Sequence, residues 1–122
     1  MCFDWKDFLR LAEHLAGVSS ASSSYSEEAA KRTAVSRAYY AAFCYARQRY
    51  SQTDDFKPTY GPEDHILLRD YLQSKGRVDK ADQLNELRSL RNQCDYMEVV
   101  NNLEDTVSRA LELAKQIIDN GV

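Results

Sequence analysis

The sequence contains few of the residues that interrupt helices. Its 122 residues include only four glycines and two prolines. A sheet protein uses these residues in its many turns, so their scarcity favours long helices. In addition, no segment alternates apolar and polar residues with the period of two that a half-buried strand shows. These absences predict an all-α protein.

Cysteines and long apolar runs are also scarce. The three cysteines, Cys2, Cys44 and Cys94, are odd in number and include no C-x-x-C pair, which argues against a disulfide scaffold or a zinc cluster. The longest apolar run, residues 38–46, is far shorter than the roughly 20 residues that cross a bilayer. The N-terminal stretch MCFDWKDF lacks the apolar core of an export signal. We therefore expect a soluble cytoplasmic protein without membrane partners.

Positive charge is not in excess. The formal net charge is −3 and the isoelectric point is about 5.4, which disfavours nonspecific coating of nucleic acid but not a local arginine cluster. The sequence has no glycine-rich phosphate-binding motif. His14 and His65 each lack a second histidine or a cysteine three or four residues away, so the sequence implies no metal and no cofactor.

The chain does contain five stretches of helical periodicity, and a length of 122 residues predicts a single domain, 1–122. Two of these stretches begin with capping boxes, Ser24–Glu27 and Asn101–Glu104. The predicted boundaries are Asp4 to Gly17, Ser24 to about Tyr50, Pro62 to Gly76, about Asp79 to Asp95, and Asn101 to the C-terminal end. Short links between long helices predict an up-and-down bundle of four to five helices.

The second predicted helix is unusually aromatic. Its stretch SRAYYAAFCYARQRY, residues 36–50, contains four tyrosines, one phenylalanine and three arginines. The spacing of Tyr39, Ala42 and Ala46 places them on one stripe, which we expect in the core. Arg37 and Tyr40 are expected to point toward the fourth helix and to complete a polar site there.

The fourth predicted helix carries the most suggestive cluster of polar residues. Arg88, Arg91 and Asp95 share a face, and Asn92 and Tyr96 follow one step round. In a purely structural interpretation, Arg91 pairs with Asp95 and Tyr96 plugs the bundle. In the alternative interpretation, Arg91 binds a phosphate and the neighbouring ring stacks on a base.

Two motifs on these helices make the chain resemble the HEPN domains, above all the small stand-alone prokaryotic ones. The motifs are Arg37-Ala38-Tyr39-Tyr40 and, later in the chain, Arg91-Asn92-Gln93-Cys94-Asp95-Tyr96, and the resemblance extends from about residue 25 to 118. It implies a bundle of four or five helices that dimerises. Many such proteins are metal-independent ribonucleases, and many are encoded beside a small nucleotidyltransferase as toxin–antitoxin pairs.

The chain departs from the ribonuclease motif of that family, in which an arginine is followed four to six residues later by a histidine. Tyr96 occupies the histidine position, and no histidine follows His65. A phenol, with an ordinary pKa of about 10, is a poorer general base at neutral pH than an imidazole, with an ordinary pKa of about 6.5. The motif is therefore expected to bind better than it catalyses.

The resulting hypothesis is a homodimer that binds a nucleotide or single-stranded RNA and acts with a nucleotidyltransferase-type partner. In related toxin pairs the partner can attach adenylate to a tyrosine near the motif, which would be Tyr96 here. Two alternatives stay open: an active ribonuclease toxin, in which Arg91 acts with a noncanonical base, and a helical adaptor that binds another protein. His65, on another helix, is one residue that could substitute for the missing base, although nothing in the sequence requires it. The candidate binding residues are Arg37, Tyr40, Arg91, Asn92, Asp95 and Tyr96.

Overall fold

A computed structural model describes residues 3–17, 26–53 and 55–119 of the chain. It contains α1 (Lys6–Ala16), α2 (Glu27–Thr53), α3 (Asp64–Ser74), α4 (Val78–Tyr96) and α5 (Leu103–Asp119). These three segments contain no strand, so the predicted all-α fold is confirmed. None of the helices in the described part of the chain combines the length and apolar content that a bilayer-crossing helix needs.

The helices pack as an up-and-down bundle. Arg32 near the start of α2 contacts the end of α4, whereas Tyr50 near the end of α2 accepts a hydrogen bond from Arg77, which precedes α4. Helices α2 and α4 are therefore antiparallel. Helix α5 packs against α4 after the short link 97–102 and so reverses direction again, while α1 lies along both α2 and α5. Helix α3 lies between α2 and α4 in the chain and packs on α4.

Helix α2 is the centre of the bundle because small residues allow its neighbours to approach closely. Helices α1, α4 and α5 all pack against it. Its buried side chains include the expected core residues Tyr39, Ala42 and Ala46, which confirms that part of the prediction. The other helices contribute mainly branched aliphatic residues to the same core, among them Leu68, Leu72, Leu87, Val107, Leu113 and Ile117.

The ends of α1 and α3 largely follow the expected signals. Asp4 Oδ1 accepts a hydrogen bond of 3.0 Å from the backbone N–H of Lys6, and Gly17 directly follows α1. Gly76 has φ +77°, a left-handed conformation that glycine adopts at little cost just after a helix. Pro62, however, lies in the turn before α3 rather than within its first turn, since the helix begins at Asp64.

The two predicted capping boxes concern the first residues of α2 and α5. Ser24 lies outside the described residues, and α2 begins instead after Ser26, whose hydroxyl oxygen accepts a hydrogen bond of 3.0 Å from the N–H of Ala29. The second box, Asn101–Glu104, precedes a helix that begins at Leu103, and the Glu104 carboxylate forms an ion pair with Nζ of the buried residue Lys31. This pair ties the beginning of α5 to α2.

Candidate functional site

Arg91 lies on the side of α4 that faces α2, and its guanidinium is held by three partners. Nε donates to Asp95 Oδ2 at 2.9 Å, Nη1 donates to Asn92 Oδ1 at 3.0 Å, and Nη2 donates to the Tyr40 hydroxyl at 2.8 Å. The expected pairing of Arg91 with Asp95 is thus confirmed. Each terminal nitrogen carries a second N–H, so Arg91 keeps donors for a ligand while its position is fixed.

Aromatic rings surround the same guanidinium. Its central carbon lies 5.2 Å from the ring centroid of Tyr40, 5.6 Å from that of Tyr96 and 5.7 Å from that of Tyr39. The Tyr96 side chain does not plug the bundle, because 72% of the residue is exposed. That part of the structural interpretation is wrong. The reason is positional: Tyr96 is the last residue of α4, where the chain turns into the 97–102 link.

Arg37 reaches the site through Tyr40. Its guanidinium carbon lies 5.0 Å from the ring centroid of Tyr40 and 5.0 Å from that of Phe8 on α1. Tyr40 is therefore flanked by the guanidinium of Arg37 and that of Arg91. Of the two residues of the first motif that were predicted to point toward α4, Tyr40 contacts α4 through Arg91, whereas the guanidinium of Arg37 lies over Tyr40 of its own helix and Phe8 of α1.

Further residues on α2 support the end of α4, and sequence reasoning did not single them out. The Ser36 hydroxyl donates to Asp95 Oδ2 at 3.4 Å. The guanidinium of Arg32 donates to the carbonyl oxygens of Cys94 (3.2 Å), Met97 (2.6 Å) and Glu98 (2.9 Å). Because a helix ends with unpaired carbonyl groups, these bonds cap α4 and fix the segment that carries Tyr96.

His65 of α3 joins the site through Tyr39. Its Nδ1 is hydrogen bonded to the Tyr39 hydroxyl, and its ring stacks on Phe43 with the centroids 4.3 Å apart. Burial of the imidazole lowers the pKa of His65 to about 4, assisted by the positive charges of nearby arginines. Burial likewise raises the pKa of the Tyr39 hydroxyl. At neutral pH both groups are therefore uncharged.

Arg88 faces the same region from α4, one turn before Arg91. Together with His65 and Tyr39 it lines a small recess between α2, α3 and α4, here called the Arg88 recess, with a volume of about 20 Å³. Its other polar lining residues are Arg69 and Asn85. The spacing of Arg88 and Arg91 in the sequence indicated that they share a face, but only the tertiary structure shows that His65 lies opposite them.

The six predicted site residues thus form one connected network, to which the structure adds Tyr39, His65, Arg88, Ser36 and Arg32. Within residues 3–17, 26–53 and 55–119 there is no group of three or more histidine, cysteine or acidic side chains that could hold a metal ion. Comparison with protein-family models, curated proteins and solved structures finds no match to the chain. Function must therefore be argued from the network itself.

Proposed function

We propose that the protein is a HEPN-like homodimer that binds a nucleotide or single-stranded RNA through Arg91 and Tyr96 and acts with a small nucleotidyltransferase, as in toxin–antitoxin pairs. The homodimer and the partner rest on the two motifs that resemble those of HEPN domains. The binding face rests on the geometry of the site, and its two components are a fixed guanidinium and an open aromatic ring.

The observation that carries the proposal is the exposure of Tyr96 beside Arg91. A tyrosine ring at the end of a helix gains little for folding when 72% of the residue is in water. The same ring offers an open face on which a base can stack, and Arg91 lies beside it to bind the phosphate of that nucleotide. Asp95, Asn92 and Tyr40 hold the guanidinium in place beforehand, which reduces the entropy lost on binding.

The test is the affinity for a fluorescently labelled single-stranded RNA, measured by anisotropy. Tyr96→Ala should raise Kd by roughly 5- to 150-fold, because one stacked base contributes about 1–3 kcal/mol. Arg91→Ala should raise Kd as well and reduce its dependence on salt, since a phosphate contact is lost. Tyr60→Ala is the matched control, because that ring is 71% exposed and also lies over an arginine, Arg47.

Equal affinity of wild type, Tyr96→Ala and Arg91→Ala would contradict the proposal. If the wild type binds no RNA or nucleotide but captures another protein, the helical adaptor becomes the better reading. Thermal unfolding of each variant must accompany the binding data. Tyr96→Ala is the decisive variant in that comparison, because an exposed ring can be removed without opening a cavity.

The exposed phenol of Tyr96 is also the group that a nucleotidyltransferase partner would reach. In such a step the phenol oxygen bonds to the α-phosphorus of ATP, pyrophosphate leaves, and the phenolic proton passes to solvent. Incubation with the partner and ATP should therefore increase the intact mass by one adenylate, and Tyr96→Phe should abolish the increase. An unchanged mass of the wild type would exclude this role for Tyr96.

An active ribonuclease is the second candidate, and the position of His65 favours it. The imidazole is neutral at pH 7, so one of its ring nitrogens carries a lone pair, and it lies in the same network as Arg91 through Tyr39. Its low pKa makes it a weak proton acceptor. RNA integrity in the binding samples provides the test: cleavage that is lost in both His65→Gln and Arg91→Ala would establish this candidate in place of simple binding.

A further inference from the structure

The Arg88 recess contains an arginine that the fold leaves without an obvious partner. Arg88 Nε is buried and has no hydrogen-bond partner among the described residues. The neighbouring guanidiniums differ in this respect: each of the three pairs with a carboxylate, Arg91 with Asp95, Arg47 with Asp64 and Arg69 with Asp70. Because buried donors are nearly always satisfied, an unsatisfied guanidinium N–H at the wall of a recess can bind a hydrogen-bond acceptor that enters the recess.

The charges around the recess favour an anion as the acceptor. Arg88 and Arg91 face His65 from α4, and Arg47 faces it from α2. Asp64, the acid that precedes His65 in the chain, accepts hydrogen bonds from the backbone N–H groups of Thr59 and Tyr60 in addition to its pair with Arg47, so its charge is already compensated. The recess is therefore locally positive in a protein whose net charge is −3.

The size and the donors of the recess favour a phosphate group. A volume of about 20 Å³ admits a single water-sized atom, such as one oxygen of a larger anion. A guanidinium can bind phosphate through two parallel N–H groups, and the Asn85 amide at the rim can add a third donor. A tetrahedral phosphate can insert one oxygen and keep others at the rim for these donors.

We propose that the Arg88 recess is a second phosphate site, in which Arg88 grips a phosphate group with one oxygen inserted toward His65. Arg88 precedes Arg91 by three residues, so the two guanidiniums lie on one face of α4. In a bound single strand the Arg88 recess takes a phosphate adjacent to the one at Arg91, and this assignment rests on the proposed RNA-binding function. As a site for free phosphate the recess stands independently of that function.

The experiment compares wild type with Arg88→Met, which keeps the aliphatic stem and removes the donors, and with Arg109→Met, an exposed arginine on α5 that pairs with Glu86. Thermal unfolding is followed in sodium phosphate and in sodium chloride of equal ionic strength. At a phosphate concentration of ten times Kd, the Tm of wild type and of Arg109→Met should rise by roughly 5 °C, and that of Arg88→Met by less than about 1 °C. Arg88→Met should also fold normally, since it removes a buried donor that has no partner.

Two further measurements separate the outcomes. Adenosine monophosphate and short single-stranded RNA are titrated while the Nε–Hε signal of Arg88 is followed by NMR. The signal should move with all three phosphate sources, and Arg88→Met should weaken RNA binding at least fivefold. Equal stabilisation of wild type and Arg88→Met by phosphate, or an Arg88 signal that phosphate does not move, would overturn the second site. If the second site is overturned in this way but RNA affinity still depends on Tyr96, the proposed function stands. If phosphate binds at Arg88 but the protein binds no RNA, the second site stands and the proposed function fails.

Discussion

Acidification should destabilise the protein through the imidazole of His65. In the fold, burial and the charges of Arg88, Arg91 and Arg47 hold the pKa of His65 at about 4, whereas in the unfolded chain its pKa returns to about 6.5. Between these pH values the unfolded chain binds a proton at this residue and the folded protein does not. The contribution of His65 to stability is therefore complete above pH 6.5 and is lost as the pH falls toward 4.

The size of this effect follows from the difference between the two pKa values. That difference is about 2.5, and a pKa difference of 1 corresponds to about 1.4 kcal/mol, so about 3.5 kcal/mol is a ceiling. His65 is only partly buried, and solvent screening reduces the contribution to about 1–2 kcal/mol. This is a measurable part of the roughly 5–15 kcal/mol by which domains of this size are stable.

Urea unfolding of wild type and His65→Gln, at a series of pH values from 7 to 4, isolates this contribution. Wild type alone is not sufficient, because hydrogen bonds from Thr59 and Tyr60, although opposed by burial, hold the pKa of Asp64 below its ordinary value and add their own acid sensitivity. The free energy of unfolding should fall by about 1–2 kcal/mol more in wild type than in His65→Gln. An identical pH dependence of the two proteins, or an NMR titration of His65 centred near pH 6.5, would refute the reasoning.

Two other side chains allow sharp tests of what holds the site together. Arg32→Ala removes three hydrogen bonds to carbonyl groups at the end of α4 and should lower the free energy of unfolding by about 3 kcal/mol, or Tm by roughly 10 °C. Arg109→Ala removes an exposed ion pair and should lower the free energy of unfolding by less than about 1 kcal/mol. Thermal unfolding followed by circular dichroism compares the two variants, and equal losses of stability would contradict the capping role of Arg32. Asp64→Asn should lower the free energy of unfolding in urea by about 2–3 kcal/mol at pH 7, because the buried carboxylate accepts charge-assisted hydrogen bonds. The difference in stability between wild type and Asp64→Asn should become smaller below about pH 4, where the carboxylate of the unfolded chain becomes protonated. A difference in stability that does not depend on pH would exclude the charge of Asp64 as its cause.

The sequence predicts the helices well because their signals are local. The uninterrupted run from Glu27 to Thr53 contains no glycine or proline, and its small residues lie on the faces that α1, α4 and α5 cover. The pairing of Arg91 with Asp95 is equally local, since a spacing of four places two side chains on the same face of a helix. Such features need no knowledge of the tertiary structure.

The rest of the site depends on contacts between distant parts of the chain. His65 follows Tyr39 by 26 residues, and nothing near either residue indicates that their side chains are hydrogen bonded. Tyr96 has a large aromatic side chain of the kind that is often buried, but it is exposed. The reason is that α4 ends there and that Arg32 of α2 holds the carbonyl groups of the next two residues, Met97 and Glu98. Periodicity identifies the face of a helix but not the point at which its neighbours stop covering it.

The exposure of Tyr96 also bears on the two interpretations that the sequence left open. If the cluster on α4 served packing alone, its aromatic ring would be buried and Arg91 would need only its pair with Asp95. Instead Arg91 is fixed by three hydrogen bonds while the ring beside it faces solvent. These three hydrogen bonds therefore hold a cationic side chain next to an exposed aromatic ring. This arrangement supports the proposed binding surface rather than a role in packing alone, because a rigid donor beside an exposed ring improves binding without adding buried area.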